Sequence, residues 1–305
     1  MSYFEAIILG IVQGLTEFLP ISSSGHLRIV PELFGWGDPG ASFTAVIQLG
    51  TMAAVVIYFW SDLLRIFLAW CKDALRIVRA VISRSKLSDQ PSADDARMGW
   101  YLIIATIPIV IFGVLFKDQI KNGARDLRLI SATLIIGGLV LLWADKVGKR
   151  TKELEHVSTR DGVAIGVAQS LALVPGVSRS GATISAGMFL GFTRESAARF
   201  SFLLSIPAVV LSGVYSLKDV STCSVGAGPT IVATVVSFVV GFAAIAWFLR
   251  FLTGHSFMPF VVYRVGLGLL LIALLAAGRI DAKPNKECIE SPSSSAAAAV
   301  VVVHH

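Results

Sequence analysis

The chain has 305 residues, of which 55% are hydrophobic and 15% are charged. Soluble domains carry about 25% charged residues, so this composition excludes an ordinary soluble domain and is typical of a polytopic membrane protein. The net charge of +6 is spread along the chain, and no basic cluster with interleaved aromatic residues indicates nucleic acid as a partner. The three cysteines, Cys71, Cys223 and Cys288, have neither metal-binding nor disulfide spacing.

The chain opens with a broken apolar region, residues 4–35, which is split at LPISSSGH. An early acidic residue, Glu5, stands where a signal peptide would be basic, so we expect no cleavable signal peptide. Each half of the region is roughly 10 to 15 residues long, which is too short to span a bilayer. Irregular backbone at membrane depth must lie against protein or line a wet cavity, so the pattern predicts a re-entrant hairpin of two half-helices.

The rest of the chain repeats this plan. Three apolar segments of spanning length follow the first hairpin, and three more follow a second broken region, 161–191, which is split at VPGVSRSGA. The tail is of low complexity, and we expect it to be disordered or an addition to the natural sequence. The predicted spans are 41–60, 99–116, 129–146, 196–217, 229–250 and 259–278, and the tail covers 281–305.

An internal repeat relates the two broken regions. A shift of 156 positions brings like residues together: Gly10 and Gly166, Gln13 and Gln169, Ser22 and Ser178, Ser24 and Ser180, Gly25 and Gly181. We therefore predict an all-α polytopic membrane protein built from two repeats, 1–147 and 148–280, each with one hairpin and three spans. Three spans change sides and a hairpin does not, so the second repeat is expected to be inverted, with a binding site where the breaks meet.

Orientation follows from the basic loops. The segments 61–98 and 147–160 carry most of the lysines and arginines between the predicted spans. The positive-inside rule places both segments in the cytoplasm. Both termini and the mouth of the first hairpin are then expected to face outward.

The first break has the features of a helix end followed by a helix start. Pro20 disfavours helix for the residue before it, so the first half-helix should end near Leu19. The serines Ser22–Ser24 are good N-cap residues for a helix that restarts near Gly25 or His26. A helix N-terminus with free N–H groups binds anions readily.

The second break repeats this arrangement and adds a cation. Gly176 follows a proline at the end of a half-helix, Ser178 and Ser180 can cap the next one, and Gly181 allows close approach of a ligand to the backbone. Arg179 lies between the two serines, and arginine is well suited to bidentate phosphate binding. The two breaks together predict a site for an anion, most simply a phosphate.

The first break also has groups that binding alone would not need. Ser23 is a possible nucleophile, and Glu17 and His26 are possible proton acceptors and donors. Gln13 lies four residues before Glu17, on the same helix face. A divalent cation that bridges a diphosphate to Glu17 would also fit this chemistry, although Glu17 is the only carboxylate in the break.

Structural explanations compete with these roles. Ser22 and Ser24 are also explained as helix caps, and His26 as a capping or packing residue. Glu17 could pair with Arg179 for structural reasons alone, whereas Arg179 itself is hard to explain structurally in an apolar hairpin. Three other arginines near segment ends could extend their charged groups to the membrane surface: Arg28, Arg199 and Arg264.

The stretches QGLTEFLPISSSGH and LVPGVSRSGATISAG resemble the two signature motifs of bacterial undecaprenyl pyrophosphate phosphatases of the bacitracin-resistance type. The stretch FMPFVVYR, residues 257–264, is similar to a third stretch of that family. The resemblance extends over about residues 3–280. It implies an integral membrane phosphatase that releases inorganic phosphate from undecaprenyl pyrophosphate, which recycles the lipid carrier for cell-wall synthesis and confers bacitracin resistance.

The resemblance also implies residue roles. Ser23 corresponds to the nucleophile, Arg179 to the diphosphate-binding residue, and Glu17 and His26 to catalytic groups. It further implies help from Mg²⁺ or Ca²⁺, an inner-membrane location and a site open to the outer face. A homodimer is an open alternative that the sequence does not decide. The family's paired motif has Glu or Gln at its first position and Glu at its second, and these positions are Gln13 and Glu17 here. Because residue 13 is not a carboxylate, a two-carboxylate metal site is less favoured, and Glu17 is the expected metal ligand. The expected substrate-binding set is Gln13, Ser22, Ser24, Gly25, Gly176, Ser178, Ser180, Gly181 and Thr183.

Two other classes of protein remain open from the residues themselves. A transporter or flippase of a lipid phosphate or another anion fits the repeat architecture equally well, since fold does not fix function. The serine flanked by Glu17 and His26 favours the enzyme. A purely structural membrane subunit explains none of these polar groups.

Overall fold

The computed structural model describes residues 1–83, 93–116, 125–216 and 226–283. In these ranges the chain folds into eleven α-helices, with two short 3₁₀ turns at 154–156 and 171–173 and an isolated β-bridge between Lys152 and Phe192. The helices are α1 (Tyr3–Phe18), α2 (Ser23–Phe34), α3 (Gly40–Tyr58), α4 (Trp60–Ile82), α5 (Asp94–Leu115), α6 (Leu127–Val147), α7 (Thr159–Ser170), α8 (Arg179–Phe189), α9 (Arg194–Ser216), α10 (Ala227–Leu252) and α11 (Met258–Ala276).

Both predicted breaks are present as interruptions between short helices. The helix α1 ends at Phe18, with Leu19 extended as its C-cap, as the following proline requires. The helix α2 begins at Ser23, two to three residues earlier than predicted. In the second break α7 ends at Ser170, before the predicted stop at Pro175–Gly176, because a 3₁₀ turn replaces its last turn.

Within the described ranges, four helices are long and apolar enough to cross a membrane, namely α5, α6, α10 and α11, with mean hydropathies of 2.0 to 2.4. The helices α3 and α4 qualify as a fifth crossing only as a pair, and they are bent by 77° at the break between them. The chain is thus a multi-pass membrane protein. The predicted spans 41–60 and 196–217 coincide with α3 and α9, neither of which is among the four by itself.

The segment 61–98 is not a loop, contrary to the prediction. It contains α4 and the start of α5, and residues 84–92 between them lie outside the described residues. The apolar residues of α4 recur at helical spacing, a signal hidden by its many basic residues. The second half of the chain has only about ten residues at the corresponding place, between α9 and α10, which is too short for such a helix.

Residues 281 and 282, at the start of the predicted tail, are hydrogen-bonded to the rest of the chain. The backbone N–H of Asp281 donates to Glu32 at 3.0 Å, and the carbonyl of Ala282 accepts from the N–H of Leu127 at 2.8 Å. These bonds fasten residues 281–282 to α2 and to the start of α6. The remainder of the tail, 284–305, lies outside the described residues, as do Cys223 and Cys288, while Cys71 is a free thiol on α4.

The 156-residue offset is visible in helix caps that the motif comparison did not use. Ser2 and Glu5 form a capping box at the start of α1, and Ser158 and Asp161 form one at the start of α7. The two helices also pack alike, α1 against α10 of the other half and α7 against α5 of the other half.

Glycines allow this close packing. A Cβ on Gly10 would lie 2.6 Å from the carbonyl oxygen of Ala233, and a Cβ on Gly166 would lie 2.5 Å from that of Ala105. Real Cβ atoms do not approach an oxygen so closely, so only glycine fits at either crossing. Each broken region is thereby held against a long helix of the opposite half.

Candidate active site

A serine with an unusual backbone angle starts the second helix of each break. Ser22 has φ = 77° and Ser178 has φ = 73°, a region that costs a residue other than glycine about 1–3 kcal/mol. Their hydroxyl oxygens accept from the N–H groups of Gly25 and Gly181, at 3.3 and 3.1 Å. Each cap lets the chain turn sharply into its helix and directs a helix N-terminus toward the break.

Ser24 and Ser180 are not caps, although the sequence allowed that role. Each lies inside its helix, with its hydroxyl 3.4 and 3.1 Å respectively from that of the capping serine. The Ser180 hydroxyl also donates to the carbonyl of Leu19 at 3.0 Å. This bond connects the second break directly to the first.

Arg264 of α11 fastens the two breaks together. Its side chain is fully buried and donates to the carbonyl of Pro20 in the first break at 2.9 Å, and to those of Gly176 and Val177 in the second at 3.2 and 2.9 Å. It also donates to two carbonyls of α6. The interpretation of Arg264 as a residue that reaches the membrane surface is therefore wrong.

Glu17 is the centre of the site. One carboxylate oxygen accepts from Arg179 at 2.7 Å, and the other accepts from the Ser23 hydroxyl at 2.6 Å. The first break supplies the carboxylate and the hydroxyl, and the second supplies the guanidinium. The structure thus brings together the three residues that the sequence ranked highest, and the ion pair that was considered as an alternative is present.

Three polar residues support this centre. Gln13 donates to Glu17 at 3.1 Å and to Thr51 at 3.3 Å, and Gln48 lies 3.4 Å from the other Glu17 oxygen. Gln48 and Thr51 belong to α3 and were not singled out from the sequence. The available signal was a glutamine in the middle of an apolar span, where a polar side chain is costly unless it has a partner.

Glu17, its two partners Ser23 and Arg179, and the two glutamines line a cavity of about 220 Å³. Its polar wall comes from both breaks and from α3, and its apolar wall comes from α5, α9 and the turn before the second break. The polar lining consists of Gln13, Glu17, Ser22, Ser23, Ser24, Thr44, Gln48, Ser178 and Arg179, and the apolar lining of Ile109, Ala172, Leu173, Ala208 and Val209. A charged group with an apolar tail matches this division.

His26 lies apart from the Glu17 centre. Its Nδ1 is 2.7 Å from the carbonyl of Ser22 and must donate there, because a carbonyl only accepts. Its Nε2 is 2.7 Å from the hydroxyl of Tyr263, and the two rings are stacked. His26 is not among the residues that line the cavity.

Five predicted substrate-binding residues also lie outside the cavity lining, namely Gly25, Gly176, Ser180, Gly181 and Thr183. Gly25 and Gly181 donate to the capping serines, and Thr183 bonds to Ser201 at 2.6 Å. Gly176 has φ = 85°, and a Cβ there would lie 2.1 Å from the Thr133 hydroxyl. Together with Ser180, which bonds to Leu19, these residues shape the break, and direct contact of all five with a substrate stays a prediction.

The other two arginines that were expected to extend to the membrane surface, Arg28 and Arg199, form ion pairs. Arg28 is 1% exposed and donates to Glu32 at 2.6 Å, so it does not extend to the membrane surface. Arg199 is about one-third exposed and lies 3.2 Å from Asp62. Arg28 therefore stabilises the packing of α2. Arg199 pairs with the start of α4, at the end of the molecule opposite the tail.

Among the described residues there is no group of three or more histidine, cysteine, aspartate or glutamate side chains that could hold a metal ion by itself. Two hard oxygen ligands are nonetheless present, the carboxylate of Glu17 and the side-chain carbonyl oxygen of Gln13. The Gln13 oxygen is buried and has no hydrogen-bond partner among the described residues. Mg²⁺ is typically held by one or two carboxylates together with substrate phosphates. The donor set therefore fits a cation that arrives with a diphosphate.

The fold and the site together define a multi-pass membrane protein with a buried polar cavity. The cavity presents a hydroxyl, a carboxylate and a guanidinium to an anionic group at the junction of two broken helical regions. The chain is 52% identical to an undecaprenyl-diphosphatase of Nocardioides sp., over 92% of this chain and 100% of the relative. It is 53% identical to one of Mycolicibacterium smegmatis (93% and 100%) and 50% identical to one of Thermobifida fusca (96% and 97%).

Residues 6–270 match the family model described as bacitracin resistance protein BacA. That match covers both breaks and the third stretch at 257–264. The chain belongs to this family.

Proposed function

We propose that this chain is an undecaprenyl-diphosphatase, which hydrolyses undecaprenyl diphosphate to undecaprenyl phosphate and inorganic phosphate. Family membership and the names of its relatives support the activity. The observation that carries the site is the single carboxylate, Glu17, bonded at once to Ser23 and to Arg179. This activity returns the lipid carrier to cell-wall synthesis.

Ser23 is the proposed nucleophile. Its hydroxyl attacks the terminal phosphorus, the bond to the bridging oxygen breaks, and undecaprenyl phosphate leaves. Glu17, which already accepts the Ser23 hydrogen bond at 2.6 Å, takes the proton. Water then releases phosphate from the serine. In the alternative, Ser23 positions a water that attacks directly.

Arg179 and the two helix N-termini bind the diphosphate oxygens in this proposal. Arg179 is neutralised by Glu17 without substrate, so a phosphate must compete with that carboxylate for the guanidinium. Binding of the phosphate would turn Arg179 toward the substrate and leave Glu17 free to act as a base. Charge neutralisation and positioning are the main means of catalysing phosphoryl transfer.

His26 has a supporting part in this mechanism. Its hydrogen bond to the Ser22 carbonyl holds the turn that carries Ser23, and Tyr263 fixes the other ring nitrogen. Glu17 is therefore the nearer base. A divalent cation, Mg²⁺ or Ca²⁺, held by Glu17, the Gln13 carbonyl oxygen and the diphosphate would neutralise negative charge on the phosphate.

We further propose that the two halves form inverted repeats in the plasma membrane, with the cavity open to the outer face. The matched caps, the reciprocal packing of α1 and α7, and the basic segments on one side support this architecture. The apolar wall of the cavity would receive the start of the polyprenyl tail. A homodimer is compatible with this arrangement but is not needed to complete the site.

The test is phosphate release by the purified chain in detergent. With undecaprenyl or farnesyl diphosphate we expect release by the wild type and a loss of at least about 100-fold in Ser23→Ala and Arg179→Ala, which is typical of a lost nucleophile or charge clamp. Release that is equal in wild type and both variants would contradict the proposal. Movement of the lipid across sealed vesicles without hydrolysis would favour the transporter instead.

A further inference from the structure

The helix α4 has a distinct apolar stripe on its outer side. At 3.6 residues per turn, five large side chains between Trp60 and Val78 fall on one face. They are 45–59% exposed, although each is large and apolar. The five residues are Trp60, Leu64, Phe67, Leu75 and Val78.

A row of basic residues borders this stripe. Four of them lie at positions i, i+7, i+11 and i+14 and share a narrow face next to the apolar one: Arg65, Lys72, Arg76 and Arg79. The two carboxylates of α4 lie beyond that row. Asp73 is buried and accepts from the indole of Trp100, and Asp62 lies near Arg199. Two cations of the row are neutralised locally, since Arg65 pairs with Asp62 and Asp95 and Arg76 pairs with Asp73. Among the described residues no carboxylate forms an ion pair with Lys72 or Arg79, so these two carry the net positive charge of the row.

The position of α4 follows from its neighbours. It leaves α3 at an angle of 77°, so it runs close to the membrane plane if α3 is near the membrane normal. Its third face is seated against α5, where Ile66 is buried and Trp70 packs on Gly99. A helix held along the membrane plane has one face toward the acyl chains and one toward the headgroups.

We propose that α4 is an interfacial helix that binds anionic lipid headgroups. The apolar stripe lies among the acyl chains, and the basic row contacts the phosphates. The argument is charge complementarity: amphipathic helices with lysine and arginine along the polar face bind anionic membrane surfaces. The basic row also lies on the side that the proposed topology assigns to the cytoplasm, the leaflet that is rich in anionic lipid.

Depth is the first test. We would attach a fluorophore to Val78→Cys or Lys72→Cys of the full chain, with the three native cysteines replaced by alanine, in vesicles of equal parts phosphatidylcholine and phosphatidylglycerol. Lipids with a nitroxide on the acyl chain should quench the label at 78 at least about threefold more than the label at 72, and iodide should show the reverse. Equal quenching by iodide at both positions would overturn the proposal. So would a label at 78 that neither quencher reaches, because a protein partner would then cover the stripe.

Lipid selectivity is the second test. After extraction from the same mixed vesicles, the wild type should retain more phosphatidylglycerol than phosphatidylcholine, and the double variant Lys72→Gln with Arg79→Gln should lose about half or more of that preference. The control is Arg279→Gln with Lys283→Gln, which removes the same charge at the other end of the molecule and should keep the wild-type ratio. Equal ratios in all three chains, or an equal loss in both variants, would contradict the proposal.

A charge-preserving pair keeps this test independent of folding. Lys72→Arg with Arg79→Lys should retain the wild-type lipid ratio, because headgroup phosphates accept either cation. A loss of selectivity in this pair would show that side-chain packing, and not charge, sets the lipid preference, and would overturn the part of the proposal that concerns the basic row.

Discussion

At the scale of single residues, the site depends on one carboxylate that bonds to both breaks. Glu17 accepts from Ser23 of its own break and from Arg179 of the other. The sequence predicted all three residues because charged and nucleophilic groups are rare in apolar segments. It did not predict Gln48 or Thr51, because one polar residue in a span has no partner until the helices are packed.

Replacement of Glu17 tests the base. Glu17→Gln keeps the size of the side chain but loses the charge, so it can neither take the Ser23 proton nor pair with Arg179. We expect a loss of about 10²–10⁴ in the rate of phosphate release, the range for a general base. The control is Glu5→Gln, a change of charge on the same helix but in its exposed cap. A variant at 17 that is as active as the variant at 5 would show that the carboxylate is dispensable.

Replacement of Arg264 tests the link between the breaks. Arg264→Lys keeps the charge, but a single ammonium group cannot reach five carbonyls on three segments, and each buried carbonyl left without a partner costs about 1–3 kcal/mol. We expect a lower thermal unfolding temperature in detergent together with a fall in activity. Arg279→Lys, an exposed change just beyond the same helix, should alter neither. If Arg264→Lys unfolded at the same temperature as the wild type, the proposed role of this side chain in joining the two breaks would be refuted.

At the scale of elements, the proline and serine signals predicted, to within a few residues, where the helices on either side of each break end and restart. The α4 helix and the 3₁₀ turn after α7 were not predicted. In α4 the basic residues suggested a loop, although the apolar spacing was present. In the second break the backbone continues as a tighter helix before Pro175, because the turn at Gly176 lies against Thr133 of α6, a contact that no local signal reveals.

The close crossings of α1 and α7 give a prediction at this scale. In Gly166→Ala the new methyl group would lie 2.5 Å from the Ala105 carbonyl oxygen, so α7 and α5 must separate. Overpacking of this kind costs about 1–3 kcal/mol, and we expect a lower unfolding temperature. Gly266→Ala in α11 is the matched control, because nothing lies within 4 Å of a Cβ there. It should leave stability equal or raised, since alanine favours helix. Equal behaviour of the two variants would contradict the packing of α7 on α5.

At the scale of the whole molecule, the site exists only because both halves contribute to it. The offset of 156 residues predicted that the breaks face each other, and the bond from Ser180 to Leu19 and the hydrogen bonds of Arg264 place them in contact. The sequence also separated the halves by role, since Ser23 and Arg179 occupy equivalent positions. The sequence did not predict that α11 joins the two breaks through Arg264. A buried arginine and one that reaches the membrane surface look alike in a sequence.

The most direct test of a shared site is a double-mutant cycle between the halves. Phosphate release from undecaprenyl diphosphate is measured for the wild type, Ser23→Ala, Arg179→Ala and the variant with both changes. Residues that act as a unit in one reaction are strongly non-additive. We predict that each single variant is nearly inactive and that the double variant is no worse than the poorer single one. Losses that multiply in the double variant, or a single variant with wild-type activity, would contradict one catalytic site built from both breaks.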